Sequence, residues 1–143
     1  MNVPLIRGSD YKTIKETLYQ MLNASKEISK KLKVKMEFKE GIVEADHLLL
    51  MIDNVLNSLE ESNHDQATID VLETAKCDLL LIVDCINRMD LEEREFLYYS
   101  LVKDESEAKL CIRFAESRST IWRKRKQLYQ DLFECIYYET ILN

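Results

Sequence analysis

Glycine and proline are almost missing from this chain: Gly8, Gly41 and Pro4 are all that 143 residues contain. Sheet proteins need tight turns at short intervals, and tight turns draw on residues that reach positive φ or fix a bend. A chain this poor in both has to join long elements through a few polar loops. Hydrophobic residues at 46% and charged residues at 32% supply a real core and a solvated surface. The sequence therefore predicts an all-α fold, either one domain or a helical dimerisation part joined to a small binding unit.

The remaining composition narrows the function classes. Cys77, Cys85, Cys111 and Cys135 form no C-x-x-C clip, and His47 and His64 stand far from them in sequence. A zinc site needs clustered ligands, so no metal is expected and the thiols read as buried and reduced, which implies a cytoplasmic protein. The longest apolar runs, residues 48–52 and 79–83, are far too short to span a bilayer. Catalysis finds no footing, since there is no glycine-rich phosphate loop and no nucleophile beside a histidine. Glu44 and Asp84 would have to converge on a metal, and their spacing does not suggest it. Neither an enzyme nor a cofactor is expected.

Hydrophobic spacing divides residues 1–89 into three helices. Ser9 or Asp10 caps the first, whose Ile14, Leu18, Met21, Ile28 and Leu32 share one nearly heptad face, with Ser25 in the gap. Residues 33–39 alternate with period two, but a lone strand has no partner, so they read as a connector or frayed helical end finishing at Gly41. A second helix is expected over 42–59 and a polar loop over 60–66. A third then carries Ile69, Leu72, Ala75, Leu79, Ile82, Ile86 and Met89. Being apolar almost all round near residue 80, the third helix is expected at the centre of the bundle. We read 1–89 as a helical dimerisation or interaction region.

Residues 90–143 have shorter periods. Asp90 three residues before Glu93 is a capping box, in which each side chain satisfies a backbone donor at a helix start. Lys103, Asp104 and Glu105 break the pattern, and Ser106 opens a second short helix with Leu110 and Phe114. Ala115 and Glu116 make a tight turn, and Ser117 caps a long last helix with Ile121, Leu128, Leu132, Cys135 and Ile136 inward. Two short-crossing helices held by Leu110, Phe114 and Ile121 form a helix-turn-helix. Its second helix would enter a DNA major groove by its N-terminal end, where Arg118, Ser119 and Thr120 can serve base edges or a phosphate. Arg123 and Lys124 follow one turn later, placed for bases or the groove wall, while Arg125 and Lys126 suit phosphates. Net charge is −6, yet residues 117–126 carry five cations and no acid. Four consecutive basic residues in a helix repel one another, so a partner bearing negative charge accounts for them better than bare solvent does. Trp122 reads equally as a core residue or as one lying on the sugar–phosphate backbone.

Three pieces of this region resemble the promoter-reading C-terminal region of bacterial sigma factors, and more closely the phage late-transcription regulators of the RinA and ArpU kind. They are Asp90-Leu91-Glu92-Glu93-Arg94-Glu95-Phe96-Leu97, Ser117-Arg118-Ser119-Thr120-Ile121-Trp122-Arg123, and the trailing Leu128, Leu132 and Phe133. The resemblance implies a sigma-like helix-turn-helix that binds double-stranded DNA through Arg118, Ser119, Thr120, Arg123 and Lys124. It also implies a phage or mobile-element origin and activation of transcription. Ala115 stands where those families usually have glycine, and Glu116 where they tend to have an apolar residue; Glu116 could cap, or pair with Arg113 or Arg118.

The expectation is thus a sequence-specific transcriptional regulator, homo-oligomeric or docked on RNA polymerase because one helix-turn-helix specifies too short a site. The alternative is a helical adaptor that binds polymerase or another regulator without touching DNA. Residues 26–39, in which lysines interleave with Glu27 and Glu37, read as solvated surface.

Overall fold

The computed structural model describes residues 10–62 and 65–142. Pro4, Gly8, Ser9 and His64, together with Asn63 of the polar loop, lie outside the described residues.

Helix α1 (Tyr11–Leu32) begins at Asp10, whose carboxylate accepts from the Thr13 N–H at 2.7 Å. Ile14, Leu18, Met21 and Leu22 are buried along it, and the Ser25 hydroxyl in the same face donates to the Leu22 carbonyl. The helix ends at Lys33 in a left-handed conformation.

The alternating segment does find a partner. Strands β1 (Glu37–Lys39) and β2 (Ile42–Glu44) pair antiparallel, Phe38 opposite Val43. This corrects both the connector expected over residues 33–39 and the helix expected to start at residue 42. Glu40 and Gly41 both have positive φ (55° and 78°), the geometry of a two-residue turn whose twist matches the flanking strands. The hairpin survives at this length because it is tied down. Asn87 donates to the Val43 carbonyl and accepts from its N–H, at 3.0 and 2.9 Å. Val43 and Met36 are buried, and Phe38 stacks on Tyr98.

Helix α2 (Asp46–Glu61) and helix α3 (Gln66–Asn87) follow. The third helix is central as expected, touching α1, α2 and β2, with Leu79, Ile82, Cys85 and Ile86 fully enclosed. Leu80 nevertheless stays 46% exposed, because no element covers its side. Helix α4 (Leu91–Leu97) opens with the full capping box between Asp90 and Glu93. It runs into one turn of π-helix (Tyr98–Val102), closed by a 2.8 Å bond from the Lys103 N–H to the Tyr98 carbonyl. Helix α5 (Glu107–Phe114) and helix α6 (Arg118–Leu142) complete the chain.

The described fold is predominantly helical with one small hairpin. Residues before and after Asp90 bury their side chains in one cluster, because α6 packs on both α1 and α3. Cys85 is buried, Cys111 and Cys135 half-buried, and Cys77 exposed, which corrects the expectation that all four thiols are enclosed. No helix among the described residues is long and apolar enough to cross a membrane.

Candidate nucleic-acid interface

Three consecutive short elements fix the start of α6. Ser106 caps α5, its hydroxyl accepting from the Lys109 N–H. Leu110 and Ile121 are buried where α5 meets α6, and Phe114 packs on Phe96 of α4 with ring centroids 5.4 Å apart. Between the helices Ala115 sits at φ 53° and ψ 46°, so the glycine-like position is occupied by a residue with a Cβ. That conformation costs a non-glycine residue about 1–2 kcal/mol, and the apolar contacts on either side of the turn hold it.

Ser117 caps α6. Its hydroxyl oxygen accepts from the Thr120 N–H at 3.2 Å and its hydroxyl donates to Thr120 Oγ1 at 2.9 Å, while its carbonyl accepts from the Ile121 N–H. Thr120, half-buried, also accepts from Arg123 at 3.3 Å. Ser117 and Thr120 therefore shape the helix start, and Ser119 stands exposed beside them.

Successive residues of a helix turn by about 100°, so consecutive side chains cannot all face one way. Arg118, Trp122 and Lys126, four residues apart, form one exposed row; Ser119 and Arg123 form the next. Arg118 is 82% exposed and only 3.5 Å from Glu107, a surface contact easily given up. Lys126 lies over the Trp122 ring at 5.5 Å from its centroid, and the edge of Tyr11 meets the same indole at 4.9 Å. Trp122 is thus both a packing residue and an outward one, 46% exposed.

Lys124 and Arg125 point elsewhere. Lys124 forms an ion pair with Glu116, which settles the partner of that acid: it is neither Arg113 nor Arg118. Arg113 instead makes a two-pronged pair with Glu105 at 2.8 Å and covers the Tyr99 ring. That guanidinium holds the Glu105 carboxyl below the usual range. Arg125 is half-buried and donates to Ser100 Oγ at 3.3 Å, and Ser100 is hydrogen-bonded to the Tyr129 hydroxyl at 2.7 Å. The Tyr11 hydroxyl next to this group is buried without a hydrogen bond of normal geometry. Burial, with Tyr129 nearby, pushes it up to about 12, and Arg125 partly offsets the rise. Arg125, expected on phosphates, is thus placed beside the π-turn and apart from the outward row.

The surface offered outward is a polar and cationic face two turns long, made by Arg118, Ser119, Trp122, Arg123 and Lys126, with Glu107 of α5 at its edge beside Arg118. The sequence pattern could not locate Tyr11 beside Trp122 or Glu107 beside Arg118, because neither contact is local along a helix. Among the described residues no group of acids, cysteines and histidines could hold a metal ion. Asp84 pairs with Arg88 at 2.6 Å on α3, while Glu44 lies on β2. No protein-family model, no curated protein and no solved structure matches the chain.

Proposed function

We propose that the protein is a DNA-binding transcriptional regulator that lays the first two turns of α6 into the major groove. The observation that carries this reading is the outward cationic face of Arg118, Ser119, Arg123 and Lys126 at the N-terminal end of a helix packed against α5. Arg118 can reach guanine through two parallel hydrogen bonds, Ser119 can serve a base edge or phosphate, and Arg123 and Lys126 neutralise phosphates on the groove walls. Trp122, partly exposed on the same face, can rest on the sugar–phosphate backbone. Glu116 acts as a tether for Lys124 and keeps that ammonium off the DNA until a phosphate competes for it.

So few base contacts specify a short site, so pairing of two copies or docking on RNA polymerase belongs to the proposal. Activation, rather than repression, and a phage or mobile-element origin rest on the family resemblance alone. A second reading, the protein-binding adaptor, is favoured by one observation: Ile112 on the outer side of α5 is 82% exposed.

Salt dependence tests the reading without knowledge of the target site, because non-specific binding is governed by released counterions. Each phosphate contact contributes a log–log slope of about −0.9. On a non-specific short duplex, where Arg118 also meets phosphate, the three outward cations predict about −2.7, against about −4.5 if all five basic side chains touched phosphate. Binding measured by anisotropy between 50 and 200 mM salt separates these; a salt-insensitive complex, or none, contradicts the proposal.

A further inference from the structure

The lysines of α1 that resembled ordinary solvated surface are not scattered. Tyr11, Lys15, Tyr19, Lys26 and Lys30 lie within about a quarter to a third of the helix circumference, on the side facing α6 and the π-turn. The ring of Tyr19 sits between two of them, with Lys15 Nζ at 5.5 Å and Lys26 Nζ at 5.8 Å from its centroid. Lys26 is anchored by a 3.0 Å bond to the Leu101 carbonyl of the π-turn. At the far end a cleft of about 400 Å³ gathers Lys26, Lys30, Lys35 and Lys103 around one acid, Asp104. That acid is engaged, accepting from the Tyr19 hydroxyl at 3.0 Å. Lys30 has only a loose contact to Glu27 at 3.5 Å, with both side chains well exposed.

At its near end this row meets the candidate interface, since Tyr11 touches Trp122. From Tyr11 to Lys30 the helix rises about 28 Å, the length of about eight base pairs. The stretch from Asp46 to Asn87 has the other sign: Lys76 is its one lysine or arginine. Cations thus gather on the side of α1 and α6, with the Tyr19 ring bridging Lys15 and Lys26.

We propose that the lysine row of α1, ending in the cleft of Lys26, Lys30, Lys35 and Lys103, is a second duplex-binding surface that grips the DNA backbone flanking the bases met by α6. This rests on the DNA-binding reading above. The cleft already holds an acid, Asp104, and its Lys30, Lys35 and Lys103 are exposed, so it does not enclose a free phosphate or nucleotide; with Lys15 further along α1 the ammonium groups extend from the cleft toward α6. A line of separated cations suits a regularly charged rod. The two surfaces together lengthen the contact without requiring further base reading, which raises affinity for any sequence.

The test uses the full chain, a Lys30→Gln/Lys35→Gln/Lys103→Gln variant, and two duplexes sharing one sequence: a hairpin of about 5 bp, which laid on α6 ends short of the cleft, and a duplex of about 30 bp. All three substituted side chains are exposed, so folding should be unaffected, and circular dichroism checks this. The variant should bind the long duplex at least about tenfold more weakly at 50 mM salt, with a slope shallower by about 2.7, and the short one within about twofold of wild type. Equal binding of the long duplex by both proteins, or an equal loss on both lengths, overturns the second surface while leaving the α6 reading intact. Binding of neither duplex by the wild type overturns the α6 reading itself. Should the substitutions weaken only attachment to anionic lipid vesicles, the row belongs to a membrane and not to DNA.

Discussion

The Arg118→Ala/Arg123→Ala variant is expected to lose DNA binding by about 100-fold or more while keeping the stability of the parent chain. Both guanidiniums are exposed, and their contacts within the protein are slight: Glu107 at 3.5 Å for Arg118, and the Thr120 hydroxyl at 3.3 Å for Arg123. Exposed substitutions of this kind usually change stability by less than about 0.5 kcal/mol. A guanidinium seated on guanine is worth about 1–3 kcal/mol of discrimination, and each lost phosphate contact flattens the salt slope by about 0.9. The two singles should differ in kind. Arg118→Ala should blur the preference among related sites, and Arg123→Ala should weaken all sites alike. Anisotropy titrations on a panel of duplexes, beside a thermal melt, measure both. Unchanged affinity with unchanged melting would place the duplex elsewhere on the surface.

Phe96→Ala should destabilise the fold by about 3–5 kcal/mol, the largest effect we expect of a single truncation. Phe96 is 2% exposed and packs at a tilt against Phe114, so its ring joins α4 to the end of α5 directly before the Ala115 turn. Its removal leaves a cavity and also slackens the support of a left-handed alanine that is already unfavourable. Both consequences fall on the segment that aims α6. In a chain of this size the loss corresponds to a drop in melting temperature of about 10–15 °C. Below that temperature DNA affinity should fall as well, because the helix start is less well held. A urea denaturation series gives the stability; a change under about 1 kcal/mol would mean that the crossing of α5 and α6 does not depend on α4.

Much of this arrangement is legible in the sequence because it depends on local chemistry. Asp90 with Glu93, Ser106 and Ser117 announce three helix starts by their capping side chains, and the structure places each of them there. The buried face of α3 follows from spacing alone. The hairpin is hidden for a physical reason. Its turn residue Glu40 adopts φ 55° although glutamate carries none of the local hydrogen bonding that lets asparagine or aspartate do so cheaply. Its second strand, only Ile42–Glu44, runs straight into α2 and shares the apolar spacing of a helix. The π-turn is equally silent, since its register is set by distant partners such as Lys26 on the Leu101 carbonyl and Tyr129 on Ser100.

The candidate site divides along the same line. That a cationic helix follows Ser117 is plain from composition. Which cations face outward depends on helical phase and on acids contributed from elsewhere. Glu116 takes Lys124, and the Ser100 hydroxyl of the π-turn takes Arg125, so the run of four basic residues does not share one outward face. Charge counting along the sequence treats them as equivalent, and the fold does not.

Trp122 is the single tryptophan of the chain and sits on the outward face of α6 between Tyr11 and Lys126, so its emission reports on that face alone. Titration with duplex DNA at 50 mM salt should change the intensity or wavelength of that emission saturably, and raising the salt to 200 mM should reverse most of the change. Duplex that binds with Trp122 unperturbed, or that fails to bind at all, would contradict the proposal that α6 is a DNA-reading helix.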